Sequence, residues 1–315
     1  MNHITQKMVK ILLVILFVTG TTFFMVDLLP GDAAYEVAGE TAGMADINAI
    51  REDLGLNRPL LIRYGIWLKN VCQGDLGVSH RTGEVVWDSL MERLPVTIEL
   101  MVIAQVLALL LALPLGIACA YRAHSRFDTF LGSAAFVFMS TPVFITALVF
   151  IYVFAVKLNW LPATGYVPLS QAPLANLKSF ILPGLSIALA EWVPLMRVLR
   201  SDMISVLKED YILLARAKGI PDHKILFHHA LKPSSFTLIT LLGIQVGHLI
   251  SGTVVVETIF ALPGLGRLLV NAIYGRDTFM IQGCILFITF AYILINLTVD
   301  TLYAILDPKI RTRRM

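Results

Sequence analysis

The histidines and cysteines of this 315-residue chain offer little chemistry. His228 and His229 are adjacent and point to different helix faces, and His223 lies five residues from His228 rather than four, so neither pair makes a good chelate on a helix. Cys72, Cys119 and Cys284 supply no disulfide framework and no zinc spacing, since two of them fall in apolar runs. No Gly-x-x-x-x-Gly-Lys-Ser/Thr phosphate loop occurs. No bound metal, no cofactor, no catalytic set and no nucleic-acid partner are expected, and the chain does not read as an enzyme. What remains is charge where charge is costly. Glu191, Glu257 and Asp300 lie within apolar runs, with Gln245, His248 and Asn296 as polar companions. An ionisable group at mid-bilayer costs about 3 kcal/mol and marks a pathway or a bundle interior. Glu191, Gln245, His248 and Glu257 are the candidate pathway residues; Gln245 and His248, three apart, share a helical face with Ser251 and Gly252. Glu191 either faces a cationic amine or pairs with Arg197. The plainer reading of each is a helix-to-helix hydrogen bond or proximity to a membrane boundary, which for Asp300 is preferred.

Those residues need membrane spans to hold them. The chain is 57% hydrophobic and 15% charged, with a mean hydropathy of +0.76, whereas soluble domains carry about 25% charged residues. Six runs, at roughly 8–29, 98–120, 130–156, 180–199, 236–260 and 280–306, approach the ~20 apolar residues that cross a bilayer. Pro142, Pro183 and Pro194 predict kinks in the third and fourth. The first run is expected to be a retained helix rather than a signal peptide. Lys7 and Lys10, Arg122 and Arg126, the Lys/Arg cluster from Arg200 to Lys232, and the tail with Lys309, Arg311, Arg313 and Arg314 alternate along the spans, which predicts both termini on the cytoplasmic side. The division expected is 1–29 for the N-terminus and first helix, 30–96 for an exterior loop, 97–306 for a membrane core and 307–315 for a cytoplasmic basic tail. Within the exterior loop, acidic early at Asp32, Glu36, Glu40, Asp46, Glu52 and Asp53, Leu60, Leu61, Tyr64, Trp67 and Leu68 predict an amphipathic helix packed on the membrane domain.

A charged segment, "DYILLARAKGIPDHKILFHHALKP", sits between the fourth and fifth runs. As a helix, 209–219 carries one stripe of Tyr211, Leu214, Ala215 and Lys218 and another of Ile212, Ala215 and Gly219, so it wants cover on two sides. One side is the protein's own bundle and the other needs a partner. Gly219 suits a left-handed helix end. Pro221 then opens a second helix, with Asp222 at its positive end. The pattern also fits a connector that only touches lipid headgroups.

"YILLARAKG" followed by "HALKP" resembles the cytoplasmic coupling loop of ABC importer permeases of the dipeptide/oligopeptide/nickel family. The general form there is Glu-Ala-Ala, three residues, Gly, nine residues, then Ile-x-Leu-Pro. Leu213-Leu214-Ala215 stand for Glu-Ala-Ala with Gly219 in register, His229 replaces the Ile, Leu231 matches and Pro233 comes one residue late. Further resemblance runs through "PGDAA" (30–34), "LGLNRPL" (54–60), "GDLGVSHRTGEVV" (74–86), "LPVTIEL" (94–100), "WLPATGY" (160–166), "ETIFALPGLGRLLVNAI" (257–273) and "LDPKIR" (306–311), with Leu262 where the family more often has Trp. The resemblance implies an all-α membrane protein of six transmembrane helices, the type I ABC importer permease fold, in a bacterial inner membrane. It implies ATP-driven alternating access for peptides or similar small solutes. The partners implied are a second homologous permease in a heterodimer, two ABC ATPase subunits and an extracytoplasmic solute-binding protein, besides membrane lipids. It assigns ATPase coupling to Tyr211, Leu214, Ala215, Arg216, Ala217, Lys218, Gly219 and Ile220 within the loop 200–235, with the stripe around Ala215 entering the ATPase groove, and an exterior gate or loop anchor to Glu257.

Gly243, Gly247 and Ser251 repeat at four-residue spacing on the fifth run, which permits close helix approach. They are the candidate seam with a second permease, or packing within this chain. Leu265, Leu268, Leu269, Ala272 and Ile273 predict a short interfacial helix after the Pro263-Gly264 turn. Competing readings are an ion-driven secondary transporter using Glu191 and Asp300 without ATPase subunits, and an intramembrane enzyme or scaffold.

Overall fold

A computed structural model describes residues 3–28, 34–35, 43–53 and 55–306. Residues 30–33 of the "PGDAA" match, the acidic positions Asp32, Glu36 and Glu40, the expected basic tail 307–315 and the side chain of Asp300 lie outside the described residues. The helices in chain order are α1 (His3–Asp27), α2 (Met44–Asp53), α3 (Leu60–Cys72), α4 (Val86–Tyr121), α5 (Arg126–Ser140), α6 (Val143–Lys157), α7 (Pro173–Val206), α8 (Asp210–Ala217), α9 (Asp222–Ile259), α10 (Leu265–Tyr274) and α11 (Thr278–Leu306). The described residues contain no strand, only an isolated bridge between Val78 and Val85. Among the described residues, five helices are long and apolar enough to cross a membrane, and α5 with α6 makes a sixth span if the bent pair is counted as one.

That bend replaces the expected kink. The axes of α5 and α6 differ by 97° at the break between them. Pro142 has no N–H to give and drives Thr141 out of the helical region, to φ −89°, ψ 120°. The span boundaries also shift. The second begins at Val86, inside the stretch expected to be exterior loop, and the fourth extends from Pro173 to Val206 through both prolines. The fifth begins at Asp222, not near residue 236, so the "second helix" of the elbow is the first turn of a span. Backbone hydrogen bonding continues there through a π-helical stretch, Ile225–Ala230, which keeps the chain helical across the polar His228-His229 pair.

The chain divides into two compact units, Met1–Thr97 with Pro263–Leu294, and Ile98–Leu262 with Ile295–Met315. In the first, α3 lies on α1. Tyr64 and Trp67 stack with ring centroids 6.0 Å apart, Phe23 meets Tyr64 edge-on at 5.5 Å, and the Tyr64 and Thr19 hydroxyls are 2.9 Å apart. Trp67 is buried as expected, but Leu61 is 82% exposed: it lies on the face of α3 turned away from α1. Leu76, Val86, Leu90, Leu265, Ala272 and Met280 form the apolar core of this unit. Ser79 donates to the Asp277 carboxylate, which also accepts from the Met280 N–H at the start of α11. The "VSHRTGEV" turn is thereby fastened to that helix end.

The second unit is built on α7, packed against α4, α5 and α9 through Trp192, Met196, Leu199 and Met203. Small residues set the spacing: an added Cβ at Gly184 would stand 2.9 Å from Ile103 Cγ2. Asp128, at the start of α5, takes two hydrogen bonds from Arg200 of α7, 2.6 Å from Nε and 2.5 Å from Nη2. Ser125 accepts from the Asp128 N–H, and Asp128 in turn accepts from His124 N–H at 2.9 Å. One carboxylate thus holds both the helix entry and the neighbouring helix.

Candidate functional site

The elbow consists of α8, the turn at Lys218–Pro221 and the start of α9. Gly219 closes the helix at φ +77°, a left-handed conformation that costs a β-carbon-bearing residue about 1 kcal/mol or more. Its N–H bonds Arg216 O, and Ile220 N–H bonds Ala215 O. Pro221 stands one residue outside α9, in extended conformation.

One face of α8 is covered by its own chain: Ile212 and Ala215 are buried against Ile225, with Leu207 and Ile220 around them. The opposite face is open, with Tyr211, Leu213 and Leu214 exposed by 46%, 52% and 57%. Arg216, Ala217, Lys218 and Gly219 are also exposed. The expectation that Ala215 leads the outward stripe is therefore corrected. Ala215 is 7% exposed and points inward, because Ile225 of the following helix claims that side. Leu213, noticed in the sequence only as a motif letter, belongs to the outward stripe. Two hydroxyls tie the elbow down: Tyr211 donates to His229 O at 3.3 Å, and Tyr121 at the end of α4 donates to Asp222 at 2.8 Å.

From the elbow α9 runs as one helix of 38 residues, roughly 55 Å at 1.5 Å per residue. The shared face expected for Gln245 and His248 is divided. Gln245 is buried and donates to Glu191 O at 3.0 Å, whereas His248 is exposed. Three residues turn a helix by about 300°, which leaves the pair 60° apart, and the boundary of the covered face passes between them. Glu191 is half-buried and Glu257 fully buried. Of the candidate seam, Gly247 is buried and Ser251 exposed. Gly243 lies beneath Val299 of α11, where an added Cβ would stand 2.6 Å from Cγ1. Gly243 thus has its close approach inside this chain, and Gly247 is covered by it. Ile244, His248, Ser251, Val255 and Thr258 are all exposed, at spacings of four, three, four and three. They form a continuous stripe along α9 that mixes polar and apolar groups, unlike a lipid-facing surface.

A family model described as binding-protein-dependent transport system inner membrane component matches residues 112–312. The chain belongs to that family. A second model, for the N-terminal part of the membrane component of such systems, matches residues 1–101. A Brucella abortus (strain 2308) protein named as a peptide transport system permease is 41% identical over 308 residues, covering 98% of each chain. The dipeptide transport system permease protein DppB of Alkalihalophilus pseudofirmus is 34% identical over 326 residues, covering 97% of this chain and 98% of its own. The oligopeptide transport system permease protein AppB of Bacillus subtilis is 35% identical over 311 residues, with 98% of each covered. The chain is thus a multi-pass, all-α permease component of an inner-membrane transport system, and the assignment favours the importer reading over the ion-driven alternative.

Within this permease the structure brings the coupling candidates together on one short helix and its turn, and separates them by face. It joins α9 to α7 where the Gln245 side-chain amide donates to the main-chain carbonyl of Glu191. Sequence reasoning missed the Asp128–Arg200 pair. The Ser-Arg-Phe-Asp cap was a readable signal for its first half, but nothing local identifies an arginine 72 residues away.

Proposed function

We propose that this permease moves peptides or similar small solutes, with ATP hydrolysed on two separate ATPase subunits that grip the elbow. The carrying observation is the two-faced α8: Ile212 and Ala215 are held by the chain itself, while Tyr211, Leu213 and Leu214 stand open beside Arg216 and Lys218. Covering an apolar side chain contributes about 1.5–3 kcal/mol, against ~0–1 kcal/mol for a rim ion pair, so the apolar stripe dominates docking and the cations orient it. The covered face makes α8 and the start of α9 one body. A push on the open face therefore reaches along α9 to the exposed stripe at His248 and Ser251. That stripe faces a solute path shared with a second, related permease. Glu257 anchors the far end, and Glu191 is held beside the path by the Gln245 contact. Solute arrives from an extracytoplasmic binding protein. Both termini and the elbow lie in the cytoplasm, 30–96 outside, 97–306 in the membrane core with the coupling loop at 200–235, and 307–315 as a cytoplasmic tail.

The test is disulfide or bismaleimide crosslinking from Leu214→Cys in the assembled transporter. Crosslinks to the ATPase that form and break with nucleotide state are expected, with none from Ile212→Cys. Leu214→Asp is expected to abolish solute-stimulated ATP hydrolysis while the permease still inserts. Normal import by Leu214→Asp would overturn the proposal.

A further inference from the structure

The first unit contains a cavity of about 560 Å³ that the transport cycle above does not use. Its apolar wall is made by Phe23 of α1, Ile66 and Trp67 of α3, and Phe279 of α11. Its polar rim carries four arginines, Arg58, Arg63, Arg81 and Arg276, against two carboxylates, Glu52 and Asp277. Asp277 is already engaged by Ser79 and the Met280 N–H, and Arg63 is paired with Asp27 at 2.7 Å. Arg58 and Arg81 form no ion pair with any described residue. The Arg81 guanidinium rests over Gly275, in space that a Cβ at that position would fill.

Two buried side chains that line the cavity have unspent hydrogen-bonding groups. Gln282 is 2% exposed, and neither its amide nitrogen nor its amide oxygen has a partner; Trp67 is 4% exposed and its indole N–H is likewise unpartnered. Each such group is left desolvated and unpaired if nothing occupies the space beside it. The cavity therefore offers two cations, two neutral donors and one acceptor above an aromatic wall.

The surroundings of the cavity point to its occupant. Tyr64 of α3 donates to Leu16 O and meets the Thr19 hydroxyl of α1. Thr19 lies eight residues before the end of α1 at Asp27, or about 12 Å along the helix. The Tyr64 side chain of α3 thus reaches inward along a membrane span, and Leu61, Ile62 and Ile66 of the same helix are exposed by 82%, 52% and 40%. Exposed apolar side chains beside an arginine rim suit acyl carbons and an anionic headgroup together.

We propose that this cavity binds the headgroup of an anionic phospholipid. Arg58 and Arg81 take its phosphate diester, Trp67 and the Gln282 amide nitrogen donate to phosphate or ester oxygens, and the Gln282 oxygen accepts from a glycerol hydroxyl. The first acyl carbons lie on Phe23 and Ile66. This reading needs only the membrane-spanning character of α1, and neither the solute nor the coupling partner.

The test is native mass spectrometry of the full-length chain released from micelles doped with phosphatidylglycerol or phosphatidylcholine. Phosphatidylglycerol is expected to be retained selectively. Each arginine near a membrane surface contributes enough that Arg58→Ala with Arg81→Ala is expected to lower retention about thirtyfold. Gly275→Ala, which displaces the Arg81 guanidinium without removing its charge, is expected to lower it less. Lys69→Ala, an exposed cation on α3 outside the cavity, is expected to leave it unchanged. Equal retention by the double variant, or an equal loss with Lys69→Ala, would overturn the site. Displacement of the lipid by equimolar sn-glycerol 3-phosphate would show a site for a soluble phosphate and would likewise overturn the lipid assignment. Both arginines are exposed, so the variants are expected to keep the wild-type melting profile, which is measured alongside.

Discussion

α1 and α7 are both helices long enough to cross a bilayer, yet 67% of the apolar window of α7 is buried within the chain and only 11% of that of α1. α7 carries Glu191, two prolines and several polar groups, whereas α1 from Ile11 to Val26 carries no charge and only three threonines, of which Thr19 and Thr22 bond carbonyls of their own helix. Apolarity along a span therefore reports contact with lipid more than contact with protein. A helix surrounded by other helices can hold Ser, Asn and Glu, because its neighbours supply hydrogen bonds; one that faces acyl chains cannot.

The largest effect expected from that contrast is at Trp192, 3% exposed on α7, against Phe17, 74% exposed on α1. Trp192→Ala is expected to cost about 3–5 kcal/mol, and Phe17→Ala to stay within about 0.5 kcal/mol, in denaturant titrations from mixed micelles. Comparable losses would show that α1 is packed as tightly as α7. Next is the Asp128–Arg200 pair. Asp128→Ala is expected to cost about 2–3 kcal/mol, below the range for a fully buried pair because the Arg200 side chain keeps 29% exposure. Gly184→Val follows, at about 1–3 kcal/mol of overpacking against Ile103 and Leu107. Gly20→Ala on α1 is expected to be near neutral, since its nearest neighbour, Tyr64, would be 3.8 Å away.

A modest pH-dependent effect is expected in the unit containing α1. His80 packs edge-on to Phe279 at 4.8 Å, and loss of water from that face lowers its pKa, against the opposing pull of Asp277. A lowered folded-state pKa means that its contribution is present above pH 6.5, the ordinary histidine value, and fades as pH falls through the folded value. Hydrogen exchange across residues 75–86 is expected to quicken modestly on acidification, and His80→Gln to remove that dependence. An unchanged pH response in His80→Gln would remove His80 as its cause.

Much of the molecule was legible because its signals are local. The Gly219 turn, the short helix after Pro263-Gly264 and the buried Trp67 face of α3 each follow from a few neighbouring residues. What escaped is tertiary. Ala215 and Leu214 are both apolar and adjacent, and only the approach of Ile225 decides which is hidden. Pro142 announced a bend, but its size depends on where α5 and α6 find packing. α7 was the weakest span by hydropathy for the same reason that it is the best buried. The partner of Asp128 lies on another helix, and no spacing rule reaches it.

The corner at Ser140–Pro142 has a further consequence. There the electronegative carbonyl end of α5 abuts the electropositive amide end of α6, beyond the reach of either helix's own ladder. Thr141 covers one carbonyl through its side chain, donating to Val137 O at 2.8 Å, and a second through its N–H, which bonds Phe138 O at 3.2 Å; helix ends of this kind leave further groups that want a partner. Fatty chains solvate such groups poorly, so this hinge needs an adjoining subunit or a water-filled recess. A cysteine introduced at Thr141 should accordingly react with a water-borne thiol reagent, or be shielded by a neighbouring protein chain.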